Sequence, residues 1–196
     1  MDILEYLTSI RGIREDTLRE VDALILPNVG KVIFPIFDLY GNKVGTNSRS
    51  IKKNWKLSSA FDKRHLYLFY KTWPYIIKRG YVVIVEGIFD ALALWQEGIK
   101  NVCAMFGGVL MHAQQLLLLR FTDKQICLLD GDGKARGARF NQAVHSWNML
   151  TPEGLDPDEF VFKYGTEFLV EQFRRCINER SGGNRLGGLG DRLTRL

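Results

Sequence analysis

Two unbroken apolar runs, each ending in acid and glycine, constrain this chain most: Tyr81-Val82-Val83-Ile84-Val85-Glu86-Gly87, and Gln125-Ile126-Cys127-Leu128-Leu129-Asp130-Gly131-Asp132-Gly133. A strand with one wet face alternates apolar and polar residues. A continuous run rich in β-branched residues reads instead as a strand covered on both faces, which is the condition of a parallel sheet under helices. Between the runs lie IFDALALWQEG, a helix closed by Gly98, then a short buried strand NVCAMFGG, then a second helix MHAQQLLLLRF. After the acidic pair, KARGARFNQAVHSWNML is expected as a third helix. Strands alternating with helices across short loops predict a parallel α/β sheet with right-handed crossovers.

The upstream third has a different character. Residues 2–22 read as two short helices, the first with Ile3, Leu4, Leu7 and Ile10 on one face. VIFPIFDLYGNKVGTNSR reads as a β-hairpin around Tyr40-Gly41-Asn42. Residues 50–79 are basic and aromatic, with short strands and a helix expected near 70–79. The chain is therefore expected to comprise a basic α+β lobe (1–79), the parallel-sheet unit (80–150), an acidic motif and helix completing the core (151–180), and a flexible basic tail (181–196).

Charge is distributed unevenly. The net charge is only +5, yet the window 43–79 holds ten Lys and Arg against one acid, Asp62. A basic region facing an acidic site suits a polyanion held by one and metal ions held by the other. Lys52, Lys53, Lys56, Lys63 and Arg64 lie among Trp55, Tyr67, Phe69, Tyr70 and Trp73. Cations in such company grip a phosphate backbone while exposed rings stack unpaired bases, although these rings also suit a packed core. No run approaches the ~18 apolar residues of a membrane span, and the N-terminus has no apolar signal core. Cys103, Cys127 and Cys176 are scattered and form no CxxC pair, so they read as reduced thiols of a cytoplasmic protein. His65, His112 and His145 are likewise dispersed, and neither a Walker loop nor GxSxG is present.

The acids carry the chemistry. In a parallel sheet all strands end on one edge, where ligands bind. Glu86 ends the first run and Asp130 and Asp132 end the third, so three carboxylates arrive at one rim from strands that can be neighbours. Asp90 follows Glu86 by one helical turn, and EGLDPDEF adds Asp156 and Asp158 around Pro157. Clustered carboxylates repel one another, and a hard divalent cation removes that cost while bridging to substrate phosphates.

VIVEGIFDALALWQEGI resembles the first motif of Toprim domains and ICLLDGDGKARGARFNQA the second. Toprim domains occur in bacterial (DnaG-type) primases, topoisomerases, some nucleases and a recombination mediator. Four further segments resemble the primase branch: LTSIRGIREDTLREV, VIFPIFDLYGNKVGTNSR, WKLSSAFDKRHLYLFY, and LTPEGLDPDEFVFKYGTEFLVEQF with its Gly-x-Asp-Pro-Asp core. The likeness runs from about residue 4 to 173. It implies an α/β fold with a Toprim-like parallel sheet flanked by helices. It also implies metal-dependent, template-directed synthesis of short RNA primers from NTPs on single-stranded DNA during replication. Glu86, Asp130 and Asp132 would be the catalytic ligands of Mg²⁺ or Mn²⁺, with Asp90, Asp156 and Asp158 extending the acidic site. Arg49, Lys56 and Lys63 would handle NTP, RNA or template phosphates. The family's zinc-binding and helicase-binding domains have no counterpart here, so a replicative helicase or a separate template-recognition protein is the expected partner, as suits a compact phage-type primase. Two other readings share the acidic set: a metal-dependent nuclease using water as nucleophile, and a non-catalytic DNA-binding replication or recombination scaffold.

Overall fold

The computed structural model describes residues 1–51, 59–129, 145–151, 155–178 and 186–188. Its centre is a five-stranded parallel sheet in the order β6-β5-β7-β8-β9, comprising β5 (Val82–Val85), β6 (Val102–Ala104), β7 (Lys124–Leu129), β8 (His145–Leu150) and β9 (Leu186–Gly188). β5 is central, pairing Val83 with Val102 on one side and with Ile126 on the other. Its four residues are all buried because each face of the sheet is covered. Val83 and Val85 join one core cluster with Val102, Ala104, Ile126 and Leu128, while Val82 and Ile84 join another with Cys103, Cys127 and Leu129. The period-2 alternation of a strand thus feeds two cores at once.

Helix α4 (Ile88–Gln96) fills the first face, and every residue from Ile88 to Trp95 is buried. It is covered in turn by α1 (Ile3–Glu5), which continues as a π-helical turn to Ile10, and by α2 (Glu15–Glu20), α6 (Pro157–Tyr164) and α7 (Glu167–Asn178). Helices α3 (Phe69–Arg79) and α5 (His112–Leu119) cover the second face through Phe69, Ile76 and Leu118. A second, antiparallel sheet β1-β2-β3-β4 runs through β1 (Leu24–Leu26), β2 (Lys31–Phe37), β3 (Lys43–Ser50) and β4 (Ser59–Ala60). The β2–β3 hairpin turns at Gly41, whose φ of 85° needs glycine or a similarly permissive residue. Val32, Phe34 and Ile36 alternate from β2 into the same core as α4, so the N-terminal lobe and the parallel sheet share one apolar interior. Two buried polar groups at the joins are paired: Thr72 Oγ1 donates to Val102 O at 2.7 Å and Asn101 Nδ2 to Tyr81 O at 3.0 Å.

Three expectations change. The segment 145–150, expected to continue a helix, is strand β8, pairing with β7 from Lys124↔His145 to Leu129↔Leu150. Trp147 and Met149 both enter the first core, a spacing of two that only a strand satisfies. Within the expected tail, Leu186–Gly188 pairs in parallel with Asn148–Leu150. Strand β1 was not expected at all; Leu24–Leu26 is too short to show a period. The expected third-helix residues 134–144 lie outside the described residues, as does the tail apart from β9. Among the described residues no helix is long and apolar enough to cross a membrane.

Candidate active-site cleft

The C-terminal edge of the parallel sheet opens into a cleft of about 480 Å³. Its wall takes Glu86, Gly87 and Asp90 from the β5–α4 junction and Phe106 and Gly107 from the turn after β6. Asn47 and Arg49 come from β3, Phe61 and Lys63 from the segment after β4, Arg11 from the N-terminal turn, and Asp156 from the start of α6.

The β5–α4 turn is tightly specified. Asp90 sits in the first turn of α4 and its Oδ2 accepts the Gly87 N–H at 3.0 Å, satisfying an amide that the helix start leaves unpaired. A Cβ at residue 87 would lie 2.7 Å from that oxygen, so any larger residue here must displace the Asp90 carboxylate that accepts its amide. Asp90 Oδ1 meets the Asp158 amide at 3.4 Å, tying α4 to α6. Glu86 is thereby held where β5 ends, with its backbone oxygen accepting the Phe106 N–H at 3.0 Å. The backbone at Gly108 passes close: a Cβ there would be 3.5 Å from Glu86 Oε2. Phe106 itself has a φ of 63°, a strained conformation for a bulky residue, and its ring packs on Phe61 with 4.3 Å between centroids.

The basic wall is organised around Phe89. The guanidinium carbons of Arg11 and Arg49 lie 4.8 and 5.9 Å from its ring centroid. Like charges brought together in this way repel, and burial together with Arg11 lowers the pKa of Arg49. An anion between them removes that cost, which suits a phosphate. Arg11 is anchored from behind by Asp158, NH2 to Oδ2 at 2.7 Å, with the Asp158 side chain only 3% exposed. Burial pushes the Asp158 carboxyl above its ordinary range, with Arg11 opposing that shift.

The expected site residues therefore separate. Glu86, Asp90, Asp156, Arg49 and Lys63 meet in the cleft. Asp158 is committed to Arg11 behind it. Arg64 does not line the cleft; it pairs locally with Asp62, Nε to Oδ2 at 2.6 Å. Asp130, Asp132, Lys52, Lys53 and Lys56 lie outside the described residues. Of the aromatic residues, Tyr67 and Phe69 are core, each 2% exposed, rather than base-stacking surfaces. Among the described residues no three His, Cys, Asp or Glu side chains form a set able to hold a metal ion. An ion at Glu86 needs further carboxylates, and in the sequence Asp130 follows Leu129, the last residue of β7, which pairs with β5. Hard oxygen donors in that position fit a divalent cation of the Mg²⁺ class.

Two residues that shape the cleft escaped the sequence. Arg11 is one of several arginines in its segment, and nothing local marks its pairing with an acid far along the chain. Gln114 lies in a leucine-rich helix, yet it is fully buried and its Nε2 donates to Lys63 O at 2.8 Å, His65 O at 3.1 Å and Met105 O at 3.2 Å. It thus holds the segment carrying Lys63 against the turn after β6.

Residues 83–161 match the Toprim-like family. The chain is 36% identical over 163 residues to the DNA primase of Aquifex aeolicus, covering 76% of this chain and 32% of that protein. It is 33% identical over 185 residues to the DNA primase of Halalkalibacterium halodurans, covering 80% and 31%. Among solved structures, the zinc-binding and RNA polymerase domains of the Aquifex aeolicus primase superpose with a TM-score of 0.77 at 29% identity, covering 88% of this chain and 55% of that one. The chain spans about a third of the length of these curated relatives.

Proposed function

This chain carries a Toprim domain and is related to bacterial DNA primases through their catalytic core, and from that premise we propose that it synthesises short RNA primers from NTPs on single-stranded DNA. The observation that carries the reading is a cleft lined at once by Glu86, at the end of β5, and by Arg11, Arg49 and Lys63. Acid for a cation and guanidiniums for phosphates, lining one opening, are what nucleotidyl transfer requires.

In this reading Arg49, supported by Arg11 across Phe89, grips the phosphates of the incoming nucleotide, and Lys63 adds a third positive charge. Glu86, with Asp130 and Asp132, would hold the divalent cation, Mg²⁺ or Mn²⁺, and Asp90 and Asp156 extend the acidic wall. Such a cation, when bound, lowers the pKa of an attacking 3′-hydroxyl and offsets charge on the triphosphate. Asp90 fixes the Gly87 turn so that Glu86 keeps its aim, and Asp158 holds Arg11 in place. No side chain forms a covalent intermediate; positioning and charge neutralisation suffice. Lys52, Lys53 and Lys56 would add positive charge for the template. A replicative helicase or a separate template-recognition protein delivers the chain to single-stranded DNA in the cytoplasm.

The test is incubation with mixed-sequence single-stranded DNA and Mg²⁺ or Mn²⁺, with and without NTPs. Short RNA that forms only with NTPs is the expected product. Shortening of the DNA without NTPs would establish the nuclease reading instead, and DNA binding with neither product would establish the scaffold.

A further inference from the structure

The cleft holds one polar side chain that the phosphate and metal roles do not use. Asn47 sits in mid-β3 and is 8% exposed, yet it lines the cleft, and its Oδ1 has no hydrogen-bond partner among the described residues. A buried acceptor left unpaired is costly, so an amide kept in this state beside an opening is explained most simply by a ligand that pairs with it. Asn47 is opposite Phe34 on β2 and Ser59 on β4, and Phe61 and Phe106 close the cleft beside it.

Strand geometry says which part of a ligand Asn47 meets. Asn47 and Arg49 are two residues apart on β3, so they project from the same face, about 6.6 Å apart along the strand. That spacing is comparable to the distance from the phosphates of a nucleotide to the hydroxyls of its sugar. With Arg49 on the phosphates, Asn47 falls level with the sugar; since Asn47 is opposite Ser59 in the antiparallel β3–β4 register, the chain runs from there to Phe61 away from Arg49, and Phe61, packed on Phe106, is available to the base. Resting on the proposed primase activity, we infer that Asn47 is a specificity-determining residue that accepts a hydrogen bond from the 2′-hydroxyl of the incoming nucleotide, and so favours ribo- over deoxyribonucleotides. The discrimination has a physical source. A ribonucleotide satisfies the buried oxygen, whereas a deoxyribonucleotide lacking the hydroxyl leaves it unpaired.

The experiment compares ATP with dATP in the full chain, reading kcat/KM for primer extension and, independently, the Kd of each nucleotide in the presence of Mg²⁺. Wild type, N47L and N47S are measured side by side. N47L fills the space without an acceptor, and N47S keeps a shorter one. The ratio of ATP to dATP does not depend on the fraction of protein that is folded, so partial misfolding leaves the readout intact. The expected result is a roughly tenfold fall in that ratio for N47L, arising from KM rather than kcat, with N47S intermediate. An unchanged ratio overturns the inference, as does equal loss with both nucleotides, which would place Asn47 on the base edge or in a purely structural role. If wild type makes primers and N47L discriminates normally, only this inference fails. If wild type neither binds ATP nor makes primers, the primase reading itself fails and this one with it.

Discussion

Replacing Gln114 with leucine should loosen the cleft from behind, and the size of the effect follows from the hydrogen bonds that leucine cannot make. The side chain is fully buried, and leucine nearly conserves its volume, so the packing change is small. The damage is polar: three carbonyls, of Lys63, His65 and Met105, are deprived of a donor, and the Met111 N–H is deprived of an acceptor at 2.9 Å. The hydrogen bond to Met105 is buried, and a stranded group there costs about 1–3 kcal/mol. The other three are partly accessible and rehydrate, at about 0.5–1 kcal/mol each. Because Nε2 has only two hydrogens to share among the three carbonyls, the sum of about 2.5–6 kcal/mol is an upper limit, still a large share of the ~5–15 kcal/mol that a domain has to lose. Urea unfolding followed by circular dichroism should show it as a lower midpoint with an unchanged slope. Because Lys63 rides on the freed segment, nucleotide affinity should fall as well. A Q114L protein whose stability stays within about 1 kcal/mol of wild type would refute the reasoning, since it would mean that those carbonyls never depended on the amide.

Two further outcomes follow from the buried titratable groups. Burial raises the Asp158 carboxyl, so folding takes up a proton there. The stability this contributes is fully present below the unfolded carboxylate value of about 3.9 and is lost as pH rises through the folded value. Unfolding of wild type and D158N from acid to neutral pH should therefore show wild type losing ground to the variant as pH increases; a constant difference contradicts this. Burial also pushes the Cys103 and Cys127 thiols up, whereas Cys176 is only partly buried. A disulfide reagent at mildly alkaline pH should leave Cys103 and Cys127 unmodified in the native protein and titrate all three thiols in denaturant; rapid native modification of either would contradict their burial.

The parallel sheet was legible because Val82–Val85 and Ile126–Leu129 are apolar on both faces, and only a doubly covered strand accepts that. The glycine and acid after β5 marked the ligand edge for the same reason. Strand β8 was not legible: Trp147 and Met149 are spaced for a strand, but the apolar residues before them suit a helix, and pairing with β7 decides the matter. The cleft was half legible. Glu86 and Arg49 announce themselves by motif, whereas Arg11, Asn47 and Gln114 owe their roles to what packs against them. Arg11 depends on Asp158, Gln114 on three carbonyls of distant segments, and Asn47 on being walled in beside Arg49. None of these dependencies has a local signature. Arg64 shows the converse: a cation in a basic run, taken up by the acid two residues before it.

The central claim of the proposed function is that Glu86 and Asp130 hold one and the same ion. Mn²⁺ binding measured by electron paramagnetic resonance in wild type, E86Q, D130N and the double variant tests it directly. The account predicts that each single substitution weakens binding of the same ion by roughly tenfold or more and that the double variant binds it no more tightly than either. Wild-type Mn²⁺ affinity in either E86Q or D130N, or two ions each weakened by only one of the substitutions, would mean that the two carboxylates do not share a site.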